Sequence, residues 1–156
     1  MSNAQVQASY RVEVNAERVN KLLVRLNDKE AKKAIKSALR KSASIIRKEA
    51  QKNWVASVPN GAHMKREINI AVYRNASGAR IDLLDKRRKN SKQFTLKFFN
   101  SGTEDRRTKK RKGANRGKIN ATNFFDNAVS TQKGNAEKSL ESNIINAIMK
   151  AANKKQ

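Results

Sequence analysis

The sequence predicts an α+β fold, with a long N-terminal helix and a C-terminal helix packed on one face of a small antiparallel sheet of three to four strands. Three observations carry this. Apolar residues recur at steps of three and four through residues 31–54, and again through 136–152. Between these stretches, short segments alternate apolar and polar residues. Clusters of Gly, Asn and Ser separate those segments, as turns do.

Taken in order, Tyr10-Arg11-Val12-Glu13-Val14 alternates like a half-buried strand. Asn15 is placed to cap a helix that spans roughly 16–57. Leu22, Leu23 and Leu26 form its first apolar group, and Asn27-Asp28 marks a break or kink. Ala31, Ala34, Ile35, Ala38, Leu39, Ser42, Ile45, Ile46, Ala50 and Trp54 then form one stripe. The lysines and arginines between them read as a solvated face. Pro59-Asn60-Gly61 ends the helix. Ile68 to Arg74 and Ala79 to Leu84 read as a hairpin around Asn75-Ala76-Ser77-Gly78. Phe94 to Phe99 reads as the strongest strand, with Phe94, Leu96 and Phe98 on one face. Asn123 is expected to cap the C-terminal helix, with Asp126 favourable at the dipole of its first turn. Gly134 is expected to break that helix before a last stripe of Leu140, Ile144, Ala147, Ile148 and Ala151.

The length of 156 residues suits one domain, drawn here as 10–152. Residues 1–9 read as a disordered or tag-like N-terminus, with Ser2-Asn3-Ala4 resembling a tag-removal scar, and 153–156 read as a tail. No apolar h-region or apolar run of about 18 residues occurs, so neither a secretory signal nor a membrane partner is expected. The net charge of +23 is unevenly spread. Residues 86–118 hold 14 basic and 2 acidic groups. Lys86, Arg87, Arg88, Lys89 and Lys92 make one cluster. Arg106, Arg107, Lys109, Lys110, Arg111, Lys112, Arg116 and Lys118 make the other, in a segment 103–118 that reads as a flexible basic loop.

Composition argues against an enzyme. With no Cys and one His, no ordinary zinc site, Cys–His pair or disulfide framework is available. His63 reads as a surface residue. Asp82 with Asp85, and Glu104 with Asp105, lie among basic residues and read as local charge neutralisation, not acid–base pairs. Phosphate-loop, dinucleotide and nucleophile-elbow motifs are missing from the sequence, and no cofactor is expected. Trp54, Phe98-Phe99 and Phe124-Phe125 read as core before base-stacking platforms. The basic segment suits either sequence-independent contact with phosphates or docking on an acidic protein surface.

Four stretches in fixed order then suggest a family. They are Y-R-V-E-V at 10–14 leading into a helix with A-L-R-K-S-A at 38–43, G-A-H-M-K-R-E-I at 61–68, F-F-N-S-G-T at 98–103, and N-A-T-N-F-F-D-N-A-V at 120–129. Across roughly 10–150 the chain resembles the tail-completion or head–tail joining (neck) proteins of long-tailed bacteriophages, of the gene-product-ten type. The third stretch is similar to the family's F-V-E-F-G-T, with its Glu replaced in Asn100-Ser101. The fourth resembles R-P-F-L-R-P-A, without the two prolines. Gly61 and Gly102 are expected to supply turns, where a glycine allows positive φ. Phe98, Phe99, Phe124 and Phe125 are expected to join the sheet to the C-terminal helix.

The resemblance implies a non-enzymatic structural protein of the phage or prophage neck. It would join the portal or adaptor complex of the head to the tail tube during virion assembly, as a ring of its own copies. Its place would be the virion neck, and the bacterial cytoplasm during assembly. The two basic clusters would meet neighbouring subunits or make nonspecific contact with packaged DNA. The alternative from another class is a small basic nucleic-acid-binding protein without sequence preference.

Overall fold

The computed structural model describes residues 11–15, 29–83, 93–109 and 113–153. The architecture is α+β: a long N-terminal helix and a long C-terminal helix with a small antiparallel sheet.

Helix α1 spans Lys29–Ser57 among the described residues, and Asn27-Asp28, where a break was expected, lie outside them. The first apolar group of the expected longer helix, Leu22, Leu23 and Leu26, lies outside the described residues. Glu30 in the first turn complements the helix dipole. Ala31, Ile35, Ala38, Leu39, Ser42, Ala43, Ile46, Ala50 and Trp54 form its buried stripe. Pro59 stops it, because a proline disfavours helical backbone at the preceding residue. Val58 accordingly has φ −136° and ψ 75°. A 3-10 helix (Pro59–Glu67) follows, with His63 on its exposed side.

Strands β2 (Asn69–Val72) and β3 (Gly78–Asp82) form the expected hairpin. Ile70 pairs with Ile81 and Val72 with Ala79. Ala76 takes φ +58° in the turn. Asn75 Oδ1 accepts hydrogen bonds from the Ser77 N–H at 3.1 Å and hydroxyl at 2.7 Å. Strand β1 (Arg11–Asn15) lies along the other edge of β3, so the order is β1-β3-β2. Asp82 is buried on β3 and lies 2.8 Å from Arg80 Nε, which is the local neutralisation expected of it.

The segment expected as the strongest strand is helix α2 (Gln93–Ser101). Leu96, Phe99 and Asn100 sit at i, i+3 and i+4, which is one face of a helix. Leu96 and Asn100 are fully buried while Phe98 is 44% exposed. Strand alternation would have put Leu96 and Phe98 on the same side. The pattern fits a short helix as well, with Leu96 and Asn100 on its buried side. The expected sheet loses this strand.

Helix α3 (Phe124–Asn153) runs without a break through Gly134. A mid-helix glycine costs about 1 kcal/mol, which packing along the rest of the helix offsets. Gly134 is exposed, with open space where a Cβ would stand. The two long helices are antiparallel. Asn53 Nδ2 donates to the Phe124 carbonyl at 3.1 Å, and Ser42 Oγ donates to the Ala136 carbonyl at 2.6 Å. Ser42 is buried, so this bond satisfies a hydroxyl that would otherwise be costly inside. The core runs from Ile35, Leu39 and Ile46 to Ile81, Leu140 and Ile144. Helix α1 is the central element, contacting all three strands and, along its length, α3. Both helices were expected directly on the sheet. Instead α3 packs chiefly along α1, which buries its own stripe on two sides.

Candidate functional site

The stretches singled out in the sequence meet at one junction, where the C-terminal end of α1 meets α2 and the start of α3. Trp54 is its centre and is fully buried. Its ring stands edge-on to Phe99, with centroids 5.5 Å apart at 85°, and to Phe124 at 5.1 Å and 62°. Such pairs add about 0.5–1.5 kcal/mol each beyond their buried area. The indole N–H donates to the Gly61 carbonyl at 2.8 Å. Phe124 and Phe125 are buried as expected. Phe98, expected to join sheet to helix, is turned to the surface by its place on α2.

Gly61 does not use the positive φ open to a glycine; Gly102, Gly113 and Gly117 are the described glycines that do. Gly61 is needed for space. A Cβ there would stand 2.8 Å from the Trp54 ring and 3.0 Å from Val58 Cγ1. Gly102 takes φ +75°. Its N–H donates to the Phe98 carbonyl at 2.7 Å, closing α2 as a left-handed C-terminal cap. A Cβ there would also stand 3.0 Å from the Ala121 backbone nitrogen.

Asn100 is the residue that sequence reasoning missed. Its Oδ1 accepts hydrogen bonds from the Phe125 N–H at 3.0 Å and the Asp126 N–H at 3.4 Å. Its Nδ2 donates to Asp126 Oδ2 at 3.2 Å. Asn100 thus caps α3 from another helix, which leaves Asn123 a different task. Asn123 has φ +52°, turning the chain into α3, and its carbonyl accepts the first helical bond, from Asn127 N–H at 2.9 Å. In return the chain before α3 satisfies the end of α2. Thr122 N–H and hydroxyl donate to the Phe99 carbonyl, and Asn123 N–H to the Asn100 carbonyl. The two helix ends therefore complete each other's orphan backbone groups.

Asp126 differs from expectation. Burial raises its pKa from the usual 3.8, and the hydrogen bond from Asn100 opposes that rise less strongly. A carboxyl whose folded pKa is raised favours the folded state most when protonated. Its contribution is complete below pH 3.8 and is lost as pH rises through the folded value. Relative to Asp126→Asn, the native protein should therefore gain stability as pH falls from neutral. Urea midpoints of both proteins, measured against pH, check the sign.

The basic segment leaves this junction and returns to it as a two-stranded ribbon. Thr103 N–H donates to the Ile119 carbonyl at 2.9 Å, and Thr103 Oγ1 accepts from Ile119 N–H at 2.9 Å. Further out, Arg106 N–H donates to Gly117 C=O, Arg116 N–H to Arg106 C=O, and Thr108 N–H to Ala114 C=O. Two residues, Arg116 and Gly117, oppose the single Arg106, which is a bulge, and Gly117 takes φ +71° there. Arg107 and Asn115 bridge beyond it. Within the segment expected as a flexible basic loop, the described residues 103–109 and 113–118 are joined by these hydrogen bonds.

Arg106, Arg107, Lys109, Arg116 and Lys118 are exposed on the ribbon. Lys86, Arg87, Arg88, Lys89, Lys110, Arg111 and Lys112 lie outside the described residues. Among the described residues no group of three His, Asp or Glu could hold a metal ion, and no helix is long and apolar enough to cross a membrane. What the ribbon offers chemically is concentrated positive charge on a fixed frame. Comparison with protein-family models, with curated proteins and with solved structures returns no match.

Proposed function

We propose that the chain is a non-enzymatic structural protein of a phage or prophage neck, joining the portal or adaptor complex of the head to the tail tube. The observation that carries this reading is the convergence at Trp54. Three of the four stretches that resemble the neck family supply its neighbours: Gly61 from the second, Phe99 from the third and Phe124 from the fourth. Residues far apart in the chain that carry the resemblance thus pack on one another as one structural unit. The remaining stretch supplies β1, paired to β3, and Ser42, bonded to α3.

In this reading several copies assemble into a ring in the virion neck, formed in the bacterial cytoplasm. The edges of the small sheet suit pairing between copies. Deleting the gene from its phage or prophage should give filled heads and separate tails in electron micrographs. Heads and tails joined as usual would overturn the proposal. The alternative, a small basic protein that binds nucleic acid without sequence preference, is favoured by the exposed cations of the ribbon. It predicts no assembly defect on deletion.

A further inference from the structure

We propose that the paired segments 103–109 and 113–119 form a preformed arm that lies along duplex nucleic acid, with Arg106, Arg107, Lys109, Arg116 and Lys118 neutralising backbone phosphates. This deepens the DNA contact in the neck reading and rests on the ribbon alone. Four features point to a duplex polyanion.

The first is unbalanced charge. Arg116 donates its N–H to the carbonyl of Arg106, so two arginines face each other across the ribbon. Like charges directly opposed on paired strands are destabilising. Among the described residues none of the five cations has an ion-pair partner. A partner that brings dense negative charge relieves that repulsion. The second is composition. Between Glu104 and Lys118 the single apolar side chain is the methyl of Ala114, which is exposed. Protein interfaces are built on apolar or aromatic anchors, whereas nucleic-acid interfaces are polar and positively charged.

The third is shape. A two-stranded ribbon is narrow enough to enter the major groove of duplex DNA. Its backbone hydrogen bonds hold both strands before contact, which lowers the ordering cost of binding. The fourth is the lack of a free amide to read adenine. Asn115 is the one amide side chain on the ribbon, and its Oδ1 is already taken by Gly117 N–H at 2.7 Å. Contacts to phosphates themselves carry no sequence information.

The test uses the full-length protein and a random-sequence 30-base-pair duplex, titrated across 50–200 mM salt. Two variants are compared. One carries Arg106→Gln, Arg107→Gln, Arg116→Gln and Lys118→Gln. The other carries Lys32→Gln, Lys33→Gln, Lys41→Gln and Lys48→Gln on the exposed face of α1, so both lose the same charge. Neutralising the ribbon should reduce the slope of log K against log salt by about 3–4 and weaken binding at least about 10-fold at 100 mM salt. The α1 variant should keep most of the native slope. Equal losses in both variants, or no duplex binding by the native protein at 50 mM salt, would overturn the inference. So would tighter, ribbon-dependent binding to polyglutamate than to duplex at equal anionic charge, which would identify an acidic protein as the partner. Matching urea midpoints confirm that the variants stay folded. Because binding is read in solution and head–tail joining by deletion, either proposal can fail while the other stands.

Discussion

Trp54→Ala is expected to be the most destabilising single change in the described core. Removing a buried Trp side chain costs about 3–5 kcal/mol, a large share of the 5–15 kcal/mol that typically holds a domain together. The loss is not confined to one contact. Phe99 and Phe124 each lose an edge-to-face partner, and the Gly61 carbonyl loses its indole donor. Gly61 gives the indole its place by having no Cβ, so alanine at 54 leaves a cavity that the 3-10 segment cannot fill with a side chain at 61. Trp54→Phe keeps most of the ring and should cost less, since chiefly the hydrogen bond is lost. Urea unfolding of the two variants separates packing from bonding. A shift of less than 1 kcal/mol for Trp54→Ala would show that the junction is not the centre of the core.

Asn100→Leu is expected to cost about 2–4 kcal/mol. Leucine is close in volume, so the loss reports hydrogen bonding. The change removes the cap of α3 and leaves the Phe125 N–H without its partner in a buried setting. Asn100→Asp keeps an acceptor for those N–H groups but sets a second carboxyl against Asp126. Asn100→Leu also removes the one bond that lowers the Asp126 pKa, so both variants should gain stability in acid, and Asn100→Asp, with two carboxyls that cannot both ionise without cost, should gain more. Trp54 and Asn100 act on the same helix ends, so the double variant should lose less than the sum of the single losses.

The long elements were legible because their periodicity is long. Nine buried positions of α1 fall on one stripe, and no strand pattern competes with that. The hairpin was legible because Asn75 and Gly78 are turn residues between alternating runs. Helix α2 was not. Phe94 to Phe99 is short and rich in Phe and Thr, so β-propensity and alternation both favoured a strand. In the helix Asn100 is buried and bonded to Phe125, 25 residues further on. A local pattern cannot report a bond of that separation. Gly61 shows the same limit, since its need for open space comes from Trp54 and not from its own backbone angle. The ribbon was visible as charge, but its pairing depends on which residues face each other, and composition does not say that.

The ribbon starts and ends at one hydrogen-bonded pair, Thr103 with Ile119. Seen from the junction, that pair is the base of the ribbon. Chain added or removed beyond that pair changes the closed path but not the junction beneath it. The entropic cost of a longer path grows slowly, about 0.6 kcal/mol for each doubling. Reach and charge can therefore be retuned by insertion or exchange within 104–118, while Trp54, Asn100 and the helix ends keep the same partners.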